Sequence, residues 1–282
     1  MICWMNGAVY RTEEILISPL DHGFLYGVGF FETFRTYGGK VFLFKEHMAR
    51  LRSALNDYNI SFPYTDADIK DAVRILTERS NGEDGYFRLN VSAGVHEIGL
   101  APSAYDTPNV LLFRKELLKT ERGTEKKAQW LSTPRNKPES GVRHKSHAYL
   151  NNVHGRLEIQ SLRDQEGLFL TPDGFVAEGV TSNVFWVNNG RLYTPAVGTG
   201  ILPGTTRAFI IQHAAHQAGL EVTEGYFRQR ELEAAEEVFI TNAIQEIVPI
   251  RNIGSYMFAG NAGLYYKRLH QIYKEAIEAI EE

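Results

Sequence analysis

The chain has 282 residues, a length that gives room for about two domains with hydrophobic cores of their own. Its composition is 43% hydrophobic, 23% charged and 12% aromatic, which is typical of a globular protein and argues against a wholly disordered chain or a membrane protein. Thirty basic and thirty-four acidic residues give a formal net charge of −4, whereas a dedicated nucleic-acid-binding protein is usually basic.

The cysteine content and the start of the chain indicate a compartment. The single cysteine, Cys3, excludes an intramolecular disulfide and a zinc site built from several thiolates, which favours the reducing cytosol. The first ten residues lack the basic and apolar regions of a signal peptide, and the longest apolar runs, such as residues 110–113, are far shorter than a membrane span. We therefore predict a cytoplasmic protein without a membrane helix.

The first third of the chain alternates between strand-like and helical patterns. Gly38-Gly39 lies between two apolar runs and predicts a hairpin turn. An apolar stripe at helical spacing over residues 48–58 predicts a helix that carries His47 and Arg50 on its flank. Alternating apolar and polar residues over 86–92 predict a half-buried strand, and residues 109–113 are expected to form its neighbour.

Residues 116–129 are polar and charge-rich, which is typical of a surface connection. We place the boundary there and predict a small N-terminal α/β domain over 1–118, an inter-domain linker over 119–131 and a larger C-terminal domain over 132–282. Turn signals at Asp173-Gly174 and Asn189-Gly190 predict hairpins in the C-terminal domain. Helical patterns cover residues 149–162, 206–218 and 263–280. Hairpins mixed with helices predict an α+β fold.

Several nucleotide and metal signatures are absent from the sequence. Gly27-Val28-Gly29 lacks the third glycine of a dinucleotide-binding loop, and no phosphate loop of the Walker type is present. His213 and His216 have the spacing of metal ligands but no third ligand nearby, so we predict no metal site. The basic stretch over residues 135–145 contains prolines and a glycine, and it is interpreted as a loop near a small anion.

Lys145 is the first candidate for chemistry. It precedes a predicted helix with apolar positions at Leu150, Val153 and Leu157, which we expect to pack as a rigid body behind the amine. A lysine beside other cations, or in a desolvated pocket, has a depressed pKa and forms Schiff bases. Taken alone, Lys145 would be interpreted as an ordinary surface lysine, because most lysines are solvated surface charges.

Three other features supply what pyridoxal phosphate needs. Gly204-Thr205-Thr206-Arg207 opens an amphipathic helix, with threonine as the expected N-cap, and the free N–H groups at such an end bind phosphate. Arg50 offers a permanently charged clamp, and Thr241-Asn242-Ala243 offers further donors after a strand. Each also fits an ordinary structural role, as a capped helix, a surface arginine or a strand end.

Glu178 is an acid in a small and apolar run that precedes a strand. If it is buried it must be paired, and the protonated ring nitrogen of pyridoxal phosphate is a fitting partner because that ion pair makes the ring an electron sink. An exposed carboxylate at a turn is the alternative.

Six motifs occur in a characteristic order along nearly the whole chain. They are Asp21-His22-Gly23-Phe24-Leu25-Tyr26-Gly27 with Phe31-Glu32-Thr33-Phe34-Arg35, Glu46-His47-Met48-Ala49-Arg50-Leu51, Lys145-Ser146 with Tyr149-Leu150-Asn151-Asn152, Glu178-Gly179 with Ser182-Asn183-Val184-Phe185, Gly200-Ile201-Leu202 with Gly204-Thr205-Thr206-Arg207, and Thr241-Asn242-Ala243 with Glu246. On these motifs the chain resembles the class IV aminotransferase family, the fold-type IV enzymes that depend on pyridoxal 5′-phosphate.

The resemblance implies the fold and the site. It implies a two-domain fold similar to that of D-amino-acid aminotransferases, a larger domain that binds the cofactor, a small-molecule substrate and a homodimer. It implies that Lys145 is the catalytic Schiff-base lysine and that Glu178 lies at the pyridine nitrogen. The residues implied around the phosphate are Arg50, Thr205, Thr206, Asn242 and Ala243.

Within the family, residues 87–94, 145–152 and 242–244 look most like the 4-amino-4-deoxychorismate lyases. Phe31 stands where D-amino-acid aminotransferases have a tyrosine, and the loop over residues 95–100 lacks the arginine of their carboxylate trap. An aminotransferase acting on D-alanine or branched-chain amino acids is the alternative, and a binding protein without the chemistry is a second. For a substrate with two carboxylates, the candidate contacts are Phe31, Thr33, Arg35 and Arg88. Thr33, Arg35 and Arg88 fit a structural role equally well, since Arg88 lies on a strand and can pair with a neighbour.

Overall fold

The computed structural model describes residues 1–100, 104–117 and 123–281. The described residues form two compact units. The N-terminal unit contains residues 1–100, 104–117 and 144–148, and the C-terminal unit contains residues 123–143 and 149–280. In this part of the chain no helix is both long and apolar enough to cross a membrane.

The N-terminal unit is built on a six-stranded antiparallel sheet with the strand order β2-β1-β6-β5-β3-β4. Its strands are β1 (Ile2–Met5), β2 (Ala8–Arg11), β3 (Gly29–Tyr37), β4 (Lys40–Val41), β5 (Gly85–Ser92) and β6 (Asn109–Glu116). Its helices are α1 (His22–Tyr26), α2 (Phe44–Asp57) and α3 (Asp66–Glu78). The hairpin at Gly38-Gly39, the α2 helix and the pairing of β5 with β6 confirm the sequence predictions.

The core of this unit lies between one face of the sheet and the two longer helices. Phe30 and Phe34 of β3 are buried in the same cluster as Met48 and Leu51 of α2. Because side chains alternate along a strand, the residues between Phe30 and Phe34 are divided between the two faces. Phe31, Thr33 and Arg35 therefore lie on the face opposite to the helices.

A short segment from later in the chain, His144–Ala148, completes the N-terminal unit. It runs antiparallel to β3, and the Phe31 N–H donates to the Lys145 carbonyl at 2.9 Å. The His147 N–H donates to the Gly29 carbonyl, also at 2.9 Å. The prediction that residues 132–282 form one continuous domain is therefore wrong for this segment. Its pairing with β3 is a long-range contact that local sequence patterns do not reveal.

The C-terminal unit contains a nine-stranded mixed sheet with the order β12-β11-β10-β13-β14-β7-β8-β9, and β15 pairs with β14. Its strands are β7 (Lys126–Trp130), β8 (Gln165–Leu170), β9 (Val176–Gly179), β10 (Asn183–Asn188), β11 (Arg191–Pro195), β12 (Glu221–Gly225), β13 (Glu237–Asn242), β14 (Glu246–Ile253) and β15 (Tyr256–Met257). Its helices are α4 (Leu150–Leu157), α5 (Thr205–Phe209), α6 (Ala215–Gln217), α7 (Gln229–Glu233) and α8 (Leu264–Glu281).

The predicted linker over 119–131 is wrong for its second half. Strand β7 lies inside the sheet, where it is parallel to both β14 and β8, and its Lys126 and Ala128 are buried. The charge-rich composition concealed this strand, because the charged side chain of Lys126 is buried in the structure although such residues usually lie at the surface. Residues 119–122 of the predicted linker lie outside the described residues.

Two predicted helices differ from those observed. The helix predicted over 206–218 begins one residue earlier, and a π-helical turn at Ile210–Ala214 divides it into α5 and α6. The helix predicted over 149–162 ends at Leu157, because the following Glu158 binds the backbone N–H groups of Ser132 and Thr133.

The apolar stripe of α4 is exposed, which contradicts the expectation that it packs behind Lys145. Leu150 and Leu157 are 76% and 75% exposed, and Val153 is also exposed. The residues on the buried side of the helix are instead polar or small. Asn152 donates to the Val180 carbonyl, and Gly155 packs so closely on Phe169 that a Cβ would lie 2.4 Å from the ring.

Candidate active site

Lys145 is held in the N-terminal unit by the backbone pairing of its segment with β3. Its half-buried side chain extends to the Phe31 ring, and Nζ lies 4.6 Å from the ring centroid. The Lys145 amine is therefore close to the sheet face that carries Phe31. Its charge also helps to lower the pKa of the buried His47.

The predicted substrate contacts share that face. Phe31, Thr33 and Arg35 alternate along β3, and Arg88 of β5 lies directly opposite Thr33 in the register. The Arg88 guanidinium lies 3.6 Å from the centroid of the Phe31 ring, and the Arg35 guanidinium lies 4.5 Å from that of Tyr37. The structure thus brings Lys145, Phe31 and Arg88 together and places Arg35 further along the same strand.

Arg50 forms a buried charge cluster with Glu32 and His47, on the helix side of the sheet. Its Nε and Nη2 each donate to one oxygen of the Glu32 carboxylate at 2.7 Å, which is the two-pronged geometry of a strong arginine–carboxylate pair. His47 Nδ1 lies 2.8 Å from the same carboxylate. Glu32 and His47 are almost completely buried, so α2 and β3 hold the Arg50 side chain in a fixed position.

The electrostatics of this cluster keep Glu32 charged and His47 neutral. Burial alone would raise the pKa of Glu32, but the charge of Arg50 and the hydrogen bonds from Arg50 and His47 outweigh burial and hold the pKa at about 2. Burial lowers the pKa of His47, Glu32 offsets this in part, and the charges of Arg50 and Lys145 lower it further. A neutral His47 therefore donates its Nδ1–H to Glu32 at neutral pH.

Glu178 is the centre of a second cluster, in the C-terminal unit. It is 4% exposed, and its Oε1 accepts a hydrogen bond from Arg135 Nε at 2.8 Å. Its other oxygen accepts from the Leu202 N–H at 3.0 Å and from Asn183 Nδ2 at 3.4 Å. Glu178 is therefore buried and paired, as the sequence requires of an acid in an apolar run.

Arg135 is in turn fixed by the start of α4. Its Nη1 donates to Asn151 Oδ1 at 2.6 Å and to Asn152 Oδ1 at 3.2 Å. These contacts give a physical reason for the consecutive asparagines that follow Lys145 in the sequence. They fix the guanidinium whose Nε binds Glu178.

The start of α5 adjoins the Glu178 cluster. Its N-cap is Gly204, not the predicted threonine, and Thr205 occupies the first helical position. Gly204 is required by close packing, since a Cβ there would lie 2.1 Å from Asn183 Oδ1. Asn183 also lies opposite Thr241 in the pairing of β10 with β13. The structure thus brings Glu178, α5 and the end of β13 together.

Two buried hydroxyls in this region fit an anion. Thr206 and Thr241 are each 2% exposed, and neither hydroxyl oxygen has a hydrogen-bond partner among the residues that the structure describes. A buried polar atom without a partner is costly, and the oxygens of a phosphate accept hydrogen bonds from hydroxyls such as these. The adjacent Asn242 uses its side chain within its own turn, accepting from Ile244 N–H and Gln245 N–H at 3.0 and 2.7 Å. Its Nδ2 also donates to Gln245 Oε1 at 3.2 Å.

Sequence reasoning did not assign several members of these clusters. Glu32 and His47 are the buried partners of Arg50, and Arg135 and Asn183 are those of Glu178. A signal was present for Glu32, because this acid alternates with Phe30 and Phe34 at a position of the core-facing side of the strand. The pairing of Arg135 with Glu178 joins residues 43 positions apart, and no local spacing predicts it.

Comparisons with known proteins place these features in a family. Residues 29–253 match the family model described as amino-transferase class IV. The chain belongs to this family. The α+β fold predicted from the sequence is the fold of class IV aminotransferase structures, and it is therefore confirmed.

Similar proteins within the class IV aminotransferase family include both a lyase and aminotransferases. The chain is 40% identical to the aminodeoxychorismate lyase of Bacillus subtilis (strain 168), covering 98% of this chain and 94% of that protein. It superimposes with a TM-score of 0.87 on the branched-chain amino acid aminotransferase of Escherichia coli, which is 28% identical, with coverage of 97% and 93%. The branched-chain aminotransferase of the archaeon Thermoproteus uzoniensis, solved with norvaline, also has a TM-score of 0.87, at 28% identity, with coverage of 100% and 96%.

Proposed function

We propose that this class IV enzyme is a 4-amino-4-deoxychorismate lyase that forms p-aminobenzoate and pyruvate for folate synthesis. The observation that carries the proposal is the face of β3 and β5, where Arg35 and Arg88 present two permanent positive charges on the side that holds Lys145. Two guanidinium groups suit a substrate with two carboxylates. The 40% identity with the Bacillus subtilis lyase supports the same activity.

Pyridoxal 5′-phosphate is the cofactor. In this proposal Lys145 binds its aldehyde carbon, and Glu178 pairs with its pyridine nitrogen. Its phosphate is bound by Arg50, Thr205, Thr206, Asn242 and Ala243. The unpartnered hydroxyls of Thr206 and Thr241 fit that phosphate, and the backbone N–H groups at the start of α5 supply further donors. When bound, the cofactor supplies an electron sink for charge that develops on the substrate.

The protein side chains move the protons. The Lys145 amine, freed when the substrate amine takes its place, removes the proton at C4 of the substrate. The bond between C3 and the ether oxygen then breaks, the ring becomes aromatic, and enolpyruvate leaves. Lys145 returns its proton to the departing enolpyruvate, which becomes pyruvate, so one residue acts first as base and then as acid. The atoms of the substrate equal those of the two products, and no second substrate is required.

This balance gives the decisive assay. The purified enzyme, supplied with 4-amino-4-deoxychorismate and no 2-oxo acid, should release p-aminobenzoate and pyruvate in equal amounts, measured by p-aminobenzoate fluorescence and by a coupled pyruvate assay. An aminotransferase requires an amino acceptor. If p-aminobenzoate is absent while D-alanine or leucine is consumed with 2-oxoglutarate, the lyase proposal is wrong.

Aminotransferase activity on D-alanine or branched-chain amino acids is the second candidate. The TM-score of 0.87 with branched-chain aminotransferases supports this candidate. A shared fold does not decide between the two activities, because small changes in the substrate contacts change which substrate is accepted. The same assay decides between the two candidates.

We also propose that the enzyme is a homodimer. The exposed stripe of Leu150, Val153 and Leu157 supports this proposal, because contiguous apolar side chains on one helix face favour burial against another surface. Sedimentation should show two chains for the wild type and one chain for the double variant Leu150→Glu with Leu157→Glu. Leu264→Glu, at an exposed leucine of α8, is the matched control and should stay a dimer. A wild type that sediments as a fully active single chain would contradict the proposal.

A further inference from the structure

His147 is a half-buried histidine for which the proposed reaction has no role. It lies two residues after Lys145, and its backbone is bound to Gly29. Its ring packs so closely on this glycine that a Cβ at Gly29 would lie 2.3 Å from the imidazole. The ring also stacks on Phe31 at a centroid distance of 6.4 Å. The strand and the segment beside it thus fix the orientation of His147.

The polar contact of His147 leads directly to Arg88. His147 Nε2 lies 3.0 Å from Asn90 Oδ1, and Nε and Nη2 of Arg88 donate to the same oxygen at 3.3 and 3.2 Å. Because an amide oxygen only accepts hydrogen bonds, Nε2 of His147 carries the proton. His147 and Arg88 therefore both contact Asn90 Oδ1, and Arg88 Cζ lies over the Phe31 ring, 3.6 Å from its centroid.

His147 is uncharged in this arrangement. Burial lowers its pKa to about 4, the charge of Arg88 lowers it as well, and Asp21 offsets part of the effect. A neutral imidazole can lie beside Arg88 without the repulsion that a second cation would bring. Among His147, Asn90, Phe31 and Arg88, the formal charge is therefore that of Arg88.

We propose that His147 and Asn90 are positioning residues that hold the Arg88 guanidinium over Phe31, where it binds a carboxylate of a dicarboxylic substrate. This inference rests on the proposed function, and it identifies Arg88 as a cation whose position determines the specificity of the site. A free arginine side chain loses considerable rotamer freedom when it binds a carboxylate. Contacts that order it beforehand remove part of that cost and strengthen binding of the substrate.

The test compares two substitutions of His147. His147→Gln keeps an N–H donor near the position of Nε2, whereas His147→Met keeps the bulk and removes the donor. The probe is chorismate, which has both carboxylates but a hydroxyl in place of the reactive amine, and its Kd is measured by calorimetry on the holoenzyme. We expect His147→Met to weaken chorismate binding about tenfold, the effect of losing one hydrogen bond to a positioned group. We expect His147→Gln to remain within about threefold of the wild type.

The kinetic readout separates positioning from general damage. In His147→Met, KM for 4-amino-4-deoxychorismate should rise about tenfold, while kcat stays within about threefold. His216→Met, at an exposed histidine of the C-terminal unit, is the control and should change neither value. Asn90→Ala should match His147→Met, and the double variant should be no worse than either single variant, because all three remove one shared arrangement.

The outcomes distinguish this inference from the proposed function. If the enzyme makes no p-aminobenzoate but chorismate binding still depends on the donor at residue 147, the lyase assignment fails and the inference stands. If His147→Met and Asn90→Ala both bind chorismate as tightly as the wild type, the inference is wrong. An equal loss of chorismate affinity in His147→Gln and His147→Met would also overturn it, since the hydrogen bond would then not contribute to binding.

Discussion

Lys145→Ala should lower the rate of p-aminobenzoate formation by at least about a thousandfold, the scale of a lost general acid–base group. The alanine side chain has no amine, so it can neither remove the C4 proton nor return one to the leaving enolpyruvate. The variant should still fold, because Lys145 is fixed in place by its backbone pairing with β3 and its side chain is only half-buried. Turnover measured at saturating 4-amino-4-deoxychorismate tests this expectation.

The absorption spectrum provides the independent readout of the same variant. The wild-type holoenzyme should be yellow, and Lys145→Ala should lack the long-wavelength band of lysine-bound pyridoxal phosphate. Lys45→Ala, at an exposed lysine of α2, is the control and should keep both the band and the activity. An active Lys145→Ala enzyme would disprove the assigned role. A wild type that no added cofactor can colour would instead favour a binding protein that has kept the fold without the chemistry.

Glu32→Gln should destabilise the N-terminal unit by about 3 to 5 kcal/mol at pH 7, the usual cost of removing one partner of a buried ion pair. Glu32 is completely buried, and both of its oxygens accept hydrogen bonds from Arg50. The substitution leaves the Arg50 guanidinium without its counter-charge. Urea unfolding measures the loss, and Glu46→Gln, at an exposed acid of the same helix as Arg50, should cost less than about 1 kcal/mol.

The effect of Glu32→Gln should depend on pH in a defined direction. The folded pKa of Glu32 is about 2, below its unfolded value of about 4.5, so its stabilising contribution is fully present above pH 4.5. As the pH falls from 4.5 toward 2, the unfolded wild type binds a proton that the folded protein does not. The difference in free energy of unfolding between the wild type and Glu32→Gln should therefore narrow by about 1.4 kcal/mol per pH unit in that range. If the difference in free energy of unfolding stays constant down to about pH 3, the pKa of Glu32 in the folded protein is not depressed.

The sequence predicted best those elements whose signal is local. The stripe of α2 and the hairpin at Gly38-Gly39 are encoded within about a dozen residues, because helical and strand periodicities are local properties. Strand β7 was missed because it buries Lys126, whose ammonium donates to the Leu162 carbonyl and to Gln245. The π-helical turn inside the predicted 206–218 helix has no counterpart in apolar periodicity.

For the candidate site, the sequence provided residue identities but few partners. The motifs pointed to Lys145, Glu178 and Arg50, and the structure adds Arg135 for Glu178 and Glu32 for Arg50. These pairs join segments that are distant in the sequence, so they depend on the topology of the fold rather than on spacing along the chain. The four proposed substrate contacts lie on one sheet face because the register pairs Thr33 of β3 with Arg88 of β5. The alternation within each strand did not specify this register.

The pairing of His144–Ala148 with β3 also affects the order in which the chain folds during synthesis. Domains generally fold as units on the ribosome, with the N-terminal one first. Here the Phe31 N–H and the Gly29 carbonyl have their partners in Lys145 and His147, which are made only after part of the C-terminal unit. Until residue 148 has emerged, this stretch of β3 is an open strand edge, the kind of surface that recruits other chains. We therefore expect the nascent protein to expose an aggregation-prone strand edge until the lysine of its candidate active site is in place.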